Sequence, residues 1–249
     1  MELVLLTALG VGSATVFGSI IGFLFKKISH KFSDIVLSFA AGVMLCAAVV
    51  GLIIPSLEEG SVISLLISVI GVFTGALVLN VIDKVVPHLH RLAGTDIEDH
   101  QKTEFNRTLL FVTAIAIHNL PEGIAAGVSF GSGDSSHAMM IASGIALQNI
   151  PEGMVIISPM LLAGISPKRT FLIAAATGLV EVAGTFIGYF AVSVSAAILP
   201  FALAFAGGTM LYVVSDEMIP ETHHNNSPAV TYALLAGFCL MLAGDVILG

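Results

Sequence analysis

The sequence predicts an all-α integral membrane protein with eight transmembrane helices, and three observations lead there. The 249 residues are 56% hydrophobic and only 10% charged, with a mean hydropathy of +1.00, whereas a soluble domain carries about a quarter charged residues. Apolar runs of about 20 residues, the length that crosses a bilayer, fill nearly the whole chain. The nine Lys and Arg residues fall in alternate breaks between those runs. One transmembrane domain over 1–249 is the organisation expected.

Taken in order, the first run covers roughly 3–25. It begins with Glu2 in place of a basic leader and its positive charges follow it, so a retained span is expected rather than a cleaved signal. Lys26, Lys27 and Lys31 separate it from the second run, roughly 35–55, and Glu58 and Glu59 precede the third, roughly 62–82. The segment 83–107 then holds Lys84, Arg91, Lys102 and Arg107. The fourth run, roughly 108–130, meets the fifth, roughly 138–162, across a tight turn containing Gly131, Gly133 and Asp134. Lys168 and Arg169 precede the sixth, roughly 170–195. Only Leu199-Pro200 marks the start of the seventh, roughly 198–219, so one very long helix and seven spans is the alternative there. The eighth covers roughly 229–248. If the chain alternates sides, every basic residue lies on one side. The positive-inside rule makes that side cytoplasmic and puts both termini outside, in a cell membrane.

Several classes are excluded. The basic residues are few and scattered among short loops, which is no footprint for nucleic acid. Cys46 and Cys239 stand alone within apolar runs, so neither a disulfide framework nor a thiolate zinc site is expected.

Three carboxylates break the apolar pattern in mid-membrane: Glu122 in the fourth span, Glu152 in the fifth and Glu181 in the sixth. A charge at that depth costs about 3 kcal/mol on insertion scales, so three together require a cationic companion. His118 lies in the same zone. The surroundings of two of the carboxylates match: His118-Asn119-Leu120-Pro121-Glu122-Gly123, then Gln148-Asn149-Ile150-Pro151-Glu152-Gly153 thirty residues later. The tight turn between them makes the two helices antiparallel, the sequence form of an inverted pair around a central site. His118 and Glu122, like Gln148 and Glu152, are four apart and share a helix face, with Asn119 and Asn149 on its edge. Pro121 and Pro151 each lack an N–H, which kinks a helix, and Gly123 and Gly153 are expected to loosen the next turn. Imidazole, carboxylate and amide oxygen together suit a borderline first-row ion such as Zn²⁺, whereas Mg²⁺ or Ca²⁺ would take oxygens alone. Three carboxylates leave −1 with one divalent ion and +1 with two, so a paired site is close to neutral when filled.

The paired motif resembles that of the ZIP (Zrt/Irt-like) metal transporters, and the form with Gln148 resembles the GufA-like prokaryotic branch. The resemblance covers essentially the whole chain. It implies eight spans with both ends outside, a histidine-bearing cytoplasmic loop over 83–107, and transport of zinc, iron, manganese or cadmium, generally into the cytosol, often by a homodimer. It implies His118, Glu122, Gln148 and Glu152 as ligands of a first metal site, with the Met44 thioether nearby. It implies Asn119, Glu122, Asn149, Glu152 and Glu181 at a second site, the two shared glutamates bridging. Many relatives have His in place of Gln148, and some an acid in place of Asn149. No catalytic cofactor is expected; the metal is cargo.

Other side chains suit a metal path. His88, His90 and His100 with Asp96, Glu98 and Asp99 have a metal-binding composition, and solvated loop polarity accounts for them equally well. His223 and His224 follow Asp216, Glu217 and Glu221 at the inner end of the seventh span, a candidate exit, and Glu58 and Glu59 are a candidate entrance. A proton or monovalent-cation channel is the first alternative function, since buried glutamates also relay protons. An intramembrane metallohydrolase is the second, although His-Glu-x-x-His is missing. Charge bias orients the chain without giving the direction of flux, so import rests on the resemblance.

Overall fold

The computed structural model describes residues 1–25, 29–57, 60–92, 100–223 and 227–248, with side chains described for all of these except 86–92, 100–112, 114, 196 and 248. The described residues form eight long helices and no strand. They are α1 (Glu2–Phe25), α2 (His30–Cys46), α3 (Val62–Leu92), α4 (His100–Ser129), α5 (Ser135–Leu162), α6 (Pro167–Val194), α7 (Leu199–Val213) and α8 (Pro228–Leu248). Two of them run on past these ends. A π-helical stretch, Ala47–Ile53, prolongs α2, and a second one, Val214–Met218, prolongs α7 and leads into a last α-turn, Ile219–Thr222. Seven helices, all but α4, are long and apolar enough to cross a membrane within the described residues. The all-α membrane class is therefore the observed one.

The doubtful boundary between the sixth and seventh spans is a true break. After Val194 the chain is extended at Ser195, turns once through Ala196–Ile198 and starts α7 at Leu199. Pro200 falls in the first turn of α7, where a missing N–H breaks no helical hydrogen bond. The tight turn between α4 and α5 also forms as expected. Gly133 takes a positive φ of 78°, and Asp134 caps α5 by accepting from the N–H groups of Ser136 and His137. Apolar side chains cover the outside of the bundle, including Leu24, Phe73, Val194 and Tyr232. A soluble monomer does not expose so much apolar surface; acyl chains are its natural solvent.

Each helix has one main partner: α1 with α5, α4 with α6, α3 with α7, and α2 with α8. Glycines show how closely they approach. A Cβ on Gly123 would collide with the Glu181 carbonyl and one on Gly127 with the Thr185 carbonyl, so α4 and α6 run parallel. Gly18 against Ile150 and Gly22 against Met154 make α1 and α5 parallel, and Gly71 against Phe201 with Gly75 against Phe205 do the same for α3 and α7. Along α2 and α8, Ser38 donates to the Val230 carbonyl (2.8 Å) while Gly42 abuts Leu234. Partners that are all an even number of spans apart (two, four or six) and all parallel are what a chain reversing direction at every turn must give.

The α4/α6 and α5/α1 pairs are copies of one another. Gly123 rests on Glu181 as Gly153 rests on Thr15; Gly184 meets Leu120 as Gly18 meets Ile150; Gly188 meets Ile124 as Gly22 meets Met154. The copies join where Gly12 and Gly178 face each other, each so placed that an added Cβ would strike the other's carbonyl oxygen. Gly123 and Gly153 thus serve close helix approach, a different role from the loosened turn expected of them. Neither α4 nor α5 is broken at Pro121 or Pro151; both continue as α-helix through the proline. Among the described residues, the π-helical departures from α geometry lie in α2 and α7 instead.

Candidate metal centre

Helices α1, α4, α5 and α6 meet at Glu181, which is fully buried. Its Oε1 accepts from Thr15 Oγ1 of α1 (2.8 Å) and from Asn119 Nδ2 of α4 (2.6 Å), and its Oε2 accepts from Asn149 Nδ2 of α5 (2.6 Å). Asn149 Nδ2 also reaches the Val11 carbonyl at 3.3 Å. Charge-assisted bonds of this kind are the strong ones. The structure therefore brings together Asn119, Asn149 and Glu181, three of the five residues expected at the second site, and adds Thr15, which the sequence reading did not single out.

His118 has a different companion. It donates from Nε2 to Glu217 Oε1 at 2.7 Å, across from α4 to the π-helical segment of α7. Such π segments are frequent at functional sites, because one extra residue per turn re-aims a side chain. The sequence groups Glu217 with His223 and His224 as a candidate exit. In the structure it belongs beside His118, while His223 turns its Nδ1 towards the Ile219 carbonyl at 2.9 Å.

The remaining candidates are buried and idle. Glu122 and Gln148 are fully buried and Glu152 is 7% exposed. Eight buried side-chain polar atoms among the described residues lack a hydrogen-bond partner: Thr170 Oγ1, and seven that belong to the two motifs. Those seven are Asn119 Oδ1, both oxygens of Glu122, Oε1 and Nε2 of Gln148, Asn149 Oδ1 and Glu152 Oε1. Six of them are oxygens; the Gln148 amide acts on the Glu122 carboxylate without reaching hydrogen-bond geometry. Native interiors rarely leave such groups unmatched, because each costs about 1–3 kcal/mol. The concentration of seven in two hexapeptides marks the place where an oxygen-seeking ligand gains most. Glu122, Glu152 and Glu181 lie close enough for their carboxyl groups to act on one another.

The arrangement stops short of a closed coordination shell. Among the described residues no three His, Cys, Asp or Glu side chains converge tightly enough to hold an ion by themselves. Glu217 engages His118, and amide and hydroxyl donors engage Glu181. Met44 is fully buried within the main apolar core. Beside Pro121 lies an apolar crevice of about 240 Å³, walled by Leu79, Ile82, Leu120, Val180 and Phe205 where α3 and α7 face α4 and α6. Glu58, Glu59, Asp96, Glu98, Asp99 and His224 lie outside the described residues, and the side chains of His88, His90 and His100 lie outside the described side chains.

A family model described as "ZIP Zinc transporter" matches residues 84–244. The chain is 38% identical over 253 aligned positions to a protein named zinc transporter GufA from Myxococcus xanthus, covering 98% of each chain. It is 37% identical to zinc transporter ZIPB of Bordetella bronchiseptica, covering 95% of this chain and 78% of that one. Zinc transporter ZupT of Chlorobaculum parvum is 34% identical over 95% of this chain and 94% of its own.

Proposed function

The chain belongs to the ZIP zinc transporter family, transporters of divalent metal ions and not enzymes, and on that premise we propose that it imports zinc into the cytosol through a binuclear site in the middle of the bundle. The observation that carries this is the group of seven partnerless buried polar atoms on the two motifs. Burying so much unmatched acceptor oxygen is costly, and a divalent cation relieves it. Glu122, Gln148 and Glu152 with His118 are the proposed first site; Asn119, Asn149 and Glu181, with both bridging glutamates, are the second. Met44 lends a thioether near the first. Pro121 and Pro151 each remove a backbone hydrogen bond from α4 and α5, and the bend this permits belongs to the proposal.

Imidazole among oxygens selects zinc over harder cations, with cadmium, iron and manganese as further cargo. Because His118 is paired with Glu217, the metal must compete with that carboxylate for the imidazole. Competition keeps binding weak enough for release, as conduction demands. The basic loops support cytoplasmic placement of the first, third and fifth turns, both termini outside, in the cell membrane, with 1–249 as one transporter domain working as a homodimer.

Purified protein in sealed vesicles, with a zinc-sensitive dye inside, tests the reading. Zinc should enter, with cadmium, iron and manganese compared in the same assay, and entry should vanish in Glu122→Ala and Glu152→Ala. Vesicles that pass none of these ions would overturn it.

A further inference from the structure

Glu181 is held by three donors that are not alike. Asn119 and Asn149 hold it through Nδ2 while their own Oδ1 atoms are buried without partners. An amide exchanges its nitrogen and oxygen by turning about one bond, so each of these asparagines can turn to put its oxygen where Nδ2 now lies, beside a cation that Glu181 also holds. Turned that way, it no longer donates to Glu181. When a cation arrives and the amides turn, Glu181 loses both Nδ2 donors. The third donor, Thr15 Oγ1, has no such alternative, because its hydroxyl already gives its single proton to Glu181 Oε1 at 2.8 Å.

Thr15 is also fixed in place. It is 1% exposed, its carbonyl accepts from Ser19 Oγ at 2.9 Å, and its backbone lies against Gly153 of the second motif. In the duplicated architecture it occupies on α1 the position that Glu181 occupies on α6, since Gly153 meets Thr15 as Gly123 meets Glu181. One copy supplies the carboxylate and the other supplies the hydroxyl that aims it.

We propose that Thr15 is the positioning residue of the second metal site: it is the donor that keeps Glu181 in place when Asn119 and Asn149 turn their oxygens to the metal. This rests on the two-site reading above. Without metal the amides hold Glu181 whether or not Thr15 is present; with metal only Thr15 does. Its loss therefore weakens the second site and spares the first.

The test is calorimetric titration of full-length wild type, Thr15→Val and Thr15→Ser with zinc in detergent, alongside uptake in vesicles. Valine keeps the shape and removes the donor; serine restores the donor without the methyl. Wild type and Thr15→Ser should bind two zinc ions per chain. Thr15→Val should keep the tighter ion at unchanged affinity and weaken the other on the order of tenfold, the worth of a hydrogen bond to a charged group. Its maximal uptake rate should fall with KM unchanged. A second site unaffected by Thr15→Val, a Thr15→Ser as poor as valine, or equal weakening of both ions would overturn the role of Thr15. A wild type that binds a single zinc would instead overturn the second site itself, a different and distinguishable failure.

Discussion

Replacing Gly12 by alanine is expected to disable the centre without touching it. A Cβ at this position lies 2.5 Å from the Gly178 carbonyl oxygen and 2.8 Å from Val182 Cγ2. Ordinary C···O contact starts near 3.3 Å, so α1 and α6 must part by roughly 0.8 Å at the crossing. One turn along, the Thr15–Glu181 hydrogen bond stretches from 2.8 Å to about 3.6 Å, which is no longer a hydrogen bond. Over-packing of this kind costs about 1–3 kcal/mol. Gly10 is the internal control, because it sits two residues earlier on the same helix with nothing within 4 Å of an added Cβ. There the same chemical change only restricts the backbone and should stabilise by about 0.5–1 kcal/mol. Denaturation of both variants in detergent, followed by helical circular dichroism, should displace their midpoints in opposite directions, and zinc uptake should drop for Gly12→Ala alone. Equal midpoints and equal uptake for the two would refute the close-crossing account.

Further outcomes follow from the same geometry. His118→Ala should stop uptake, as should Glu122→Ala, with normal expression, because deleting a mid-membrane polar group does not hinder insertion; wild-type flux in either would sink the first site. Glu217→Ala releases His118 from a 2.7 Å pair and should tighten zinc binding roughly tenfold, read by titration; weaker binding would show that Glu217 helps rather than competes. Glu181→Gln should leave one zinc per chain where wild type holds two, and loss of all binding would contradict the division into two sites. Single cysteines at positions 30, 95 and 168 should resist an impermeant external thiol reagent, and ready labelling of all three would reverse the orientation.

The helices and both motif-bearing spans were legible in the sequence because hydropathy, charge placement and the repeated hexapeptide all act over local distances. What escaped is a second repeat. Gly12 to Phe23 and Gly178 to Tyr189 share their glycines at matching places, Val16 with Val182, Ser19 with Thr185 and Ile21 with Ile187. Thr15 falls opposite Glu181 in that alignment, and a hydroxyl in place of a carboxylate is what hid it from a search for charges. Scanning by small residues rather than ionisable ones would have found both the pairing of helices and Thr15. Glu217 carries no comparable signal. It is 99 residues from His118 at the polar end of a span, and only the π-helical turn aims it inward.

The partner scheme has a bearing on how the chain is made. Helices α1, α2 and α3 pack chiefly on α5, α8 and α7, all of which leave the ribosome later. The first three therefore enter the bilayer before the helices they chiefly pack on. Glu122 likewise precedes both Asn149 and Glu181 into the lipid. Until α6 emerges, the most polar part of the protein has no completed shelter, so membrane insertion and assembly are separate events, and any truncation short of α8 strands α2 without its cover.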